Sequence, residues 1–473
     1  MSRREWGGVL RLLADIGRIF GLALAIPAVV ALLSQEMPLW WAFLGCGLAV
    51  LGGAQFLRYR LGPREVGSWE ATLALMLAWP LFSAVSALPF LLGGIPWLDA
   101  LFEGVSAWTD TGLTMIQDPS ALPVALGVFR ILIQWFSGLG IVMFMLVLRA
   151  SSPRAVRQLF EAEGRPEDFS VDIWRIGRVV VRIYALYTVL GALALWMSGV
   201  PPVEALAHAV TSLSTGGFST NSVGVGIYGA LPSLVAMALM VAGGVSFTAH
   251  RALLRGNWRE FWGMPEIRVL FAVIMVATAV VMVGFWAAGE DVGASLLPGA
   301  FYTVTAITTC GAGTTVPLSA VPSSVRFVVL LLMVSGASYG STTGALKLWR
   351  LIIVGKIVGR EVRRPFYPAN AVMALRVGHR VISESQAATV AGYVMLYVGL
   401  GLAGSLAFTV LGYQPMDALF TVFSAQGNVG LNAMPESLYF GMPAALKALL
   451  IGHMLVGRVE LLPLLSLARG LAE

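Results

Sequence analysis

An all-α membrane protein, with four pseudo-fourfold span–loop–span units around a central path and two extra N-terminal transmembrane helices, is the fold class this 473-residue sequence predicts. Three observations predict it. The chain is 58% hydrophobic and only 12% charged, whereas a soluble protein carries roughly 25% charge. Ten apolar runs are close to the ~20 residues needed to cross a bilayer. Four of the connections between them share one pattern. So little charge excludes a disordered chain and argues against a soluble enzyme. The two cysteines, Cys46 and Cys310, build neither a disulfide framework nor a zinc site.

The apolar runs lie near 17–34, 38–57, 71–93, 124–148, 178–199, 230–250, 267–288, 325–355, 386–411 and 442–468. The first follows a basic start (Arg3, Arg4, Arg11, Arg18) and has no small-x-small cleavage site before Gln35, so it reads as a retained signal anchor. Basic residues crowd the connections 58–64, 149–182, 251–268 and 347–380. The connections 92–123, 200–229, 289–321 and 412–441 contain no Lys or Arg and carry Asp99, Glu103, Asp110, Asp118, Glu204, Glu290, Asp291, Asp417 and Glu436. Under the positive-inside rule, ten spans with both termini cytoplasmic put every basic connection inside and every acidic one outside. The net charge of +6, from 31 Lys+Arg and 25 Asp+Glu, is therefore sorted across a membrane. Lipid is the expected surroundings, with no nucleic-acid partner.

The four acidic connections align on a glycine: LDALFEGVSAWTDTGLTMI at Gly112, VEALAHAVTSLSTGGFSTN at Gly216, PGAFYTVTAITTCGAGTTV at Gly311 and MDALFTVFSAQGNVGLNAM at Gly430. Each predicts a short amphipathic helix, a polar glycine loop and a second span, and four chance copies are implausible. The repeat divides the chain into the N-terminal pair 1–64 and units 65–170, 171–262, 263–370 and 371–473. Asp99, Glu204 and Asp417 lie 13, 12 and 13 residues before their glycines, where a carboxylate caps a helix start. Pro298 holds that place in the third unit and suits a first turn. Backbone that re-enters a membrane must be buried in protein or line water, so four such loops are expected to ring one pore. Each short helix aims its partly negative C-terminus at the axis. The loop cores, Asp110-Thr111-Gly112, Ser214-Thr215-Gly216, Thr309-Cys310-Gly311 and Asn428-Val429-Gly430, are the candidate ion-binding residues. Rings of their carbonyls replace the water shell of a large monovalent cation such as potassium.

Residues 335–345, SGASYGSTTGA, interrupt the eighth run with small and polar residues. Several glycines, each costing about 1 kcal/mol against Ala, make a poor helix there. Its glycines and Lys347 form no phosphate-binding loop, because no Gly-Lys-Ser/Thr follows. Arg458 sits inside the last run among Leu455, Val456, Val459 and Leu461, and an intramembrane arginine is a functional residue or snorkels to the interface. Arg130, Arg326 and Lys447 open three second spans, where they anchor at the interface or hold the loops. The four histidines, His208, His250, His379 and His453, show no metal-ligand spacing.

In these loops, and in RILIQWFSGLGI (130–141), STGGFST (214–220), GASYGSTTGALKLWR (336–350) and GRVELLPLL (457–465), the chain resembles the Trk/Ktr/HKT superfamily of potassium transporters. The likeness runs from about residue 65 onward, and the two extra N-terminal spans match the TrkH-type subunits. The resemblance implies potassium uptake through a selectivity filter, with potassium as transported ligand and no covalent cofactor. It makes 335–345 an intramembrane gate that obstructs the path, with Gly336, Ser338, Gly340, Ser341, Thr342, Gly344, Lys347 and Arg458 as gate residues. It further implies an inner-membrane homodimer above a cytosolic ring of TrkA-like nucleotide-binding subunits. Three departures stand out. Asp110 replaces an uncharged residue and either adds a cation site at the outer mouth or is held by a neighbour such as Arg130. Cys310 stands where threonine is usual, and Thr343 and Ala345 stand where glycines are frequent, which stiffens the gate.

Sodium permeation, or sodium- or proton-coupled potassium symport, is the alternative within the same fold. A secondary transporter of an organic substrate is a further alternative, but such folds invert their halves whereas these repeats run the same way. An enzyme is not expected, because no convergent catalytic set occurs.

Overall fold

The computed structural model describes residues 3–62, 66–151, 173–368, 373–378 and 380–459. Helices α1 (Arg3–Ala23) and α2 (Ala25–Leu33) make one span, followed by α3 (Met37–Leu61). The helix starts well before the apolar run, because Asp15 of α1 pairs with Arg11 at 3.7 Å and with Arg58 of α3. The first unit comprises α4 (Ser68–Leu92), the short α5 (Trp97–Trp108) and α6 (Val124–Ser151). The second has α7 (Ile173–Met197), the short α8 (Pro202–Ser214), α9 (Ala230–Gly244), α10 (Phe247–Leu254) and α11 (Trp258–Gly263). In the third are α12 (Pro265–Ala287), the short α13 (Val292–Ile307), α14 (Ser323–Ser335) and α15 (Leu348–Arg363). An unexpected antiparallel hairpin, β1 (Leu375–Val377) and β2 (Arg380–Ile382), pairs Leu375 with Ile382. The fourth unit closes with α16 (Glu384–Val410), the short α17 (Pro415–Gln426), α18 (Glu436–Phe440) and α19 (Ala444–Val459).

Among the described residues, six helical spans are long and apolar enough to cross a membrane unbroken. They account for six of the ten expected spans. Of the other four, α6 is helical from Val124 to Ser151, and α19 reaches the end of the described residues at Val459. The remaining two are broken. The run 230–250, expected as one helix, bends by 108° between α9 and α10, where Ser246 caps α10 by accepting from the Ala249 N–H at 3.3 Å. The eighth run is interrupted between Ser335 and Leu348, as its composition foretells.

The two breaks satisfy each other. Hydrocarbon offers no partner for a freed peptide group, and each interruption supplies what the other lacks. The Ser338 and Thr342 N–H groups donate to the Gly244 and Gly243 carbonyls at 3.1 and 3.2 Å, and the Phe247 N–H donates to the Gly340 carbonyl at 3.2 Å. The bend in α9–α10 thus seats the non-helical segment 336–347.

Packing orders the units in a closed cycle. The second span of each unit lies against the short helix of the next: α6 on α8, α9 on α13, α14 on α17 and α19 on α5. The last unit therefore returns to the first.

The starts of the short helices correct two expectations. Asp99, Glu204 and Asp417 lie in the first turns of α5, α8 and α17, but Pro96, Pro201 and Gln414 occupy the cap positions, and no side chain caps. Two of the carboxylates are instead drawn to cations on neighbouring second spans, as described below. Pro298 does not start α13 but sits inside it. Asp291 caps that helix by accepting from Gly293 and Ala294, which carries the helix back beyond the proline.

Candidate functional site

The four glycine loops meet in the cycle that the helix packing sets. A Cβ built on Gly112 would fall on the Gly216 carbonyl, one on Gly217 on the Cys310 carbonyl, one on Gly311 on the Val429 carbonyl, and one on Gly430 on the Thr111 carbonyl. Each loop lays its glycine against the middle carbonyl of the next.

This contact pattern moves the second loop by one residue from the sequence alignment. Positive φ occurs at Asp110 and Gly112 (+58°, +84°), Thr215 and Gly217 (+63°, +68°), Thr309 and Gly311 (+52°, +73°), and Asn428 and Gly430 (+51°, +95°). The middle residues Thr111, Gly216, Cys310 and Val429 each donate N–H to the carbonyl five residues earlier, from Ser106, Thr211, Thr305 and Ser424. The equivalent core in the second unit is thus Thr215-Gly216-Gly217. Ser214, predicted as a core residue, is the last residue of α8, and Gly217, which the prediction omits, takes the left-handed turn. In this register Asp99, Glu204, Pro298 and Asp417 all stand 13 residues before their glycines.

Alternating left-handed and ordinary φ along a short strand turns successive carbonyls to one side, and glycine bears the third position without strain. Middle side chains pack behind the strand. Cys310 and Val429 are fully buried, and the Cys310 thiol lies 3.7 Å from the Thr211 carbonyl. A buried sulfhydryl therefore stands where threonine is usual, beside the Gly217 and Ala312 backbone. Gln134 of α6 lies within RILIQWFSGLGI. It donates to the Gly216 carbonyl at 2.6 Å and accepts from the Phe218 N–H at 3.1 Å, clamping the second loop.

On the side of the glycines away from segment 336–347, a cavity of about 430 Å³ is lined by Gly112, Gly217, Gly311 and Gly430, by residues of the four Lys- and Arg-free connections, Glu436 among them, and by Arg130 of α6. Beside it, Ser120 donates its hydroxyl and its N–H to Asp118, which holds that carboxyl below its ordinary pKa. Asp110 is not at this mouth. It occupies the opposite end of its loop, is 1% exposed, and faces Arg458 rather than Arg130.

The cations that open the second spans grip the short helices. Arg130 donates to Glu103 at 3.1 Å in a fully buried pair. Lys447 of the fourth unit reaches Asp99 of the first at 2.5 Å, and Arg326 of the third reaches Asp417 of the fourth at 3.5 Å. These last two pairs retain 14–20% side-chain exposure, so screening holds each to about 1 kcal/mol or less. Lys447→Ala and Arg326→Ala are each expected to lower unfolding stability by no more than that, as measured by chemical unfolding in detergent.

The predicted gate residues lie together on the other side of the loops from the cavity. Segment 336–347 turns through positive φ at Gly336, Gly340, Ala345 and Lys347. The Thr342 hydroxyl lies 3.1 Å from that of Thr215, and the Gly344 N–H donates to the Thr309 hydroxyl at 2.9 Å. Ser341 lies 2.8 Å from Thr343, hydroxyl to hydroxyl, and donates to the Ser338 carbonyl. The Tyr339 N–H donates to Glu266 of α12 at 3.0 Å, and the Lys347 ammonium lies 5.2 Å from the Tyr339 ring centre. Arg458 donates to the Thr342 carbonyl at 3.4 Å and to the Ser137 carbonyl at 2.5 Å. Of the histidines, His453 bonds Gln426 at 3.0 Å and His250 the Ala242 carbonyl at 2.7 Å. Both are packing roles. His379 lies outside the described residues, and among the described residues no group of side chains forms a metal site.

Comparison with known proteins gives consistent results. The model of a family described as TrkH, cation transport protein, matches residues 70–472. The chain is 28% identical to an uncharacterized cation transporter of Methanocaldococcus jannaschii, over 99% of this chain and 96% of that protein. It is also 28% identical to the Trk system potassium uptake protein TrkH of Salmonella typhimurium, over 97% of each. Its fold matches the crystal structure of the potassium transporter TrkH from Vibrio parahaemolyticus with a TM-score of 0.87, at 24% identity and over 98% of both chains.

Proposed function

This chain belongs to the TrkH family of cation transport proteins, and from that membership we propose that it takes up potassium across the cytoplasmic (inner) membrane. The ion passes through a filter of Asp110-Thr111-Gly112, Thr215-Gly216-Gly217, Thr309-Cys310-Gly311 and Asn428-Val429-Gly430. The observation that carries this reading is the closed cycle of four loops, each with left-handed first and third residues. Such loops present backbone carbonyls to a dehydrated monovalent cation. The short helices end at the loops, so their negative C-terminal ends add to the attraction. The relatives named as potassium uptake proteins support potassium as the cargo. Family membership also supports a carrier rather than an enzyme, with no covalent cofactor.

In this reading segment 336–347 is the gate. It binds the inner ends of the second and third loops through Thr342 and Gly344, so it cannot move without releasing both. The repeat supports the division at 64, 170, 262 and 370. Both termini and the basic connections face the cytoplasm, and the cavity opens outward, by the positive-inside rule. The Trk-system names of the relatives support a complex. A second copy of this chain and a cytosolic TrkA-like nucleotide-binding ring are the partners we assign to it.

The test is flux in proteoliposomes of the purified chain. Rubidium, a potassium surrogate, is expected to enter well ahead of sodium at equal gradients. Sodium flux equal to or above rubidium would overturn potassium as the cargo in favour of a sodium-permeable member of the same fold.

A further inference from the structure

Asp110 and Arg458 occupy the one exceptional junction of the ring. At three junctions a glycine, from the second span in the first two and from segment 336–347 in the third, seats against the residue just before the next loop. A Cβ would meet Ser214 at Gly138, Thr308 at Gly244 and Gly427 at Gly344. At the fourth junction, where the last unit closes on the first, Arg458 of α19 stands against the loop itself, 3.9 Å from Asp110. The loop it meets begins with Asp110, where the other loops begin with uncharged Thr215, Thr309 and Asn428. The cation and the anion thus coincide at one of four equivalent places.

Three residues besides Asp110 surround the guanidinium there. It donates to the Thr342 carbonyl of the gate segment and to the Ser137 carbonyl and hydroxyl, and its Cζ lies 5.2 Å from the Trp79 ring centre. All of these are neutral. Asp110, with its nearest oxygen 3.9 Å from Arg458 Nη2, supplies the opposing charge. Ser214 lies beside its buried carboxylate, but neither oxygen makes a well-formed hydrogen bond among the described residues. A buried charge without hydrogen bonds persists only beside an opposite one.

We infer that Asp110 is the positioning residue of Arg458: its carboxylate holds the guanidinium at the closing seam, neutralising it beside the ion path and fixing the Thr342 end of the gate segment. This rests on the filter-and-gate reading above. Without Asp110, the guanidinium is an uncompensated positive charge at the inner end of the filter, where a departing cation must pass. Sequence alone allowed a cation site at the outer mouth for Asp110, and its place at the base of the loop excludes that.

The test combines Asp110→Asn, Arg458→Gln and the double variant, with rubidium flux scaled to folded protein. Asp110→Asn is expected to cut flux at least about fivefold, within the span of ordinary coupling energies. In the Arg458→Gln background the same change is expected to alter flux less than about twofold, because no charge remains to be positioned. Equal losses in both backgrounds, or no loss in either, would overturn the inference. Thermal unfolding of the same four proteins reads the pair without reference to any ion. Each single variant is expected to lower the midpoint and the double to recover part of it, whereas additive losses would count against the pairing. Should Asp110→Asn fail to fold, the double is expected to fold; a double that also fails sinks the proposal. A wild-type protein that carries neither rubidium nor sodium would instead sink the transport reading, with the unfolding cycle still testing the pair.

Discussion

Serine in place of Gly112 or Gly430 is expected to reduce the preference for rubidium over sodium at least about tenfold, equivalent to roughly 1.4 kcal/mol of discrimination. Both glycines have strongly positive φ, +84° and +95°, where a side chain costs about 1–2 kcal/mol in strain. The larger effect is steric. The new Cβ would fall on the Gly216 carbonyl at the first position and on the Thr111 carbonyl at the second. Backbone has no rotamer to escape into, so one strand must shift and its carbonyl leaves the ring. The same substitution at Gly217, at φ +68° and against the Cys310 carbonyl, is expected to do likewise, a result that centring the loop on Gly216 does not foretell. Gly127 of α6, with nothing within 4 Å of a built Cβ, is the control: Gly127→Ala should leave the flux ratio unchanged. Flux ratios in proteoliposomes decide it, and an unaltered ratio in the Gly112 and Gly430 variants would remove these loops from the filter.

That register error shows what the sequence could and could not convey. Small polar residue, any residue, glycine recurs in all four loops, so their existence was legible. In STGGFST two glycines stand side by side, and only the neighbouring strand decides which one bears the left-handed turn. The constant 13-residue spacing from Asp99, Glu204, Pro298 and Asp417 was the available signal, and aligning on Gly216 broke it to 12 at Glu204.

The spans were legible because hydrocarbon enforces long apolar runs. The bend between α9 and α10 was hidden because its few polar residues, Ser246 and Thr248, do not interrupt the apolar run. Gly243-Gly244 and the Ser246 cap mark it only once the 336–347 segment is known to need their carbonyls. Charge partners were the least legible. Arg130 and Asp110 lie twenty residues apart and face different partners, Glu103 and Arg458, because Asp110 begins the loop strand whereas Arg130 reaches Thr114 beyond its glycine. No local pattern encodes a contact made across the seam between the last unit and the first.

Removing one partner of the Arg130–Glu103 pair is expected to destabilise the chain by about 3–5 kcal/mol, the usual cost of stranding a buried charge. Total stabilities run only about 5–15 kcal/mol, so Arg130→Met should sharply reduce the yield of folded protein. The two side chains are 3% and 0% exposed, which separates this pair from the half-screened clamps at Lys447 and Arg326. Glu103 also accepts from the Thr114 hydroxyl at 2.6 Å and the Met115 N–H at 2.7 Å, and Arg130 donates to that same hydroxyl at 3.0 Å. The pair therefore fixes the strand just beyond Gly112. Replacing both residues, Glu103→Leu with Arg130→Met, leaves no lone charge, and the hydrogen bonds it forfeits to the carboxylate, from the Thr114 hydroxyl and the Met115 N–H, are lost in Glu103→Leu alone as well. The double variant should consequently be more stable than either single one, a reversal that unfolding midpoints of the three proteins would register. Additive losses would mean the pair is no unit. Arg130 also lies 4.0 Å from the Phe218 ring centre, just past Gly217, so its loss loosens two adjacent loops at once. The double variant, although better folded, should still show a lower rubidium-to-sodium ratio than wild type.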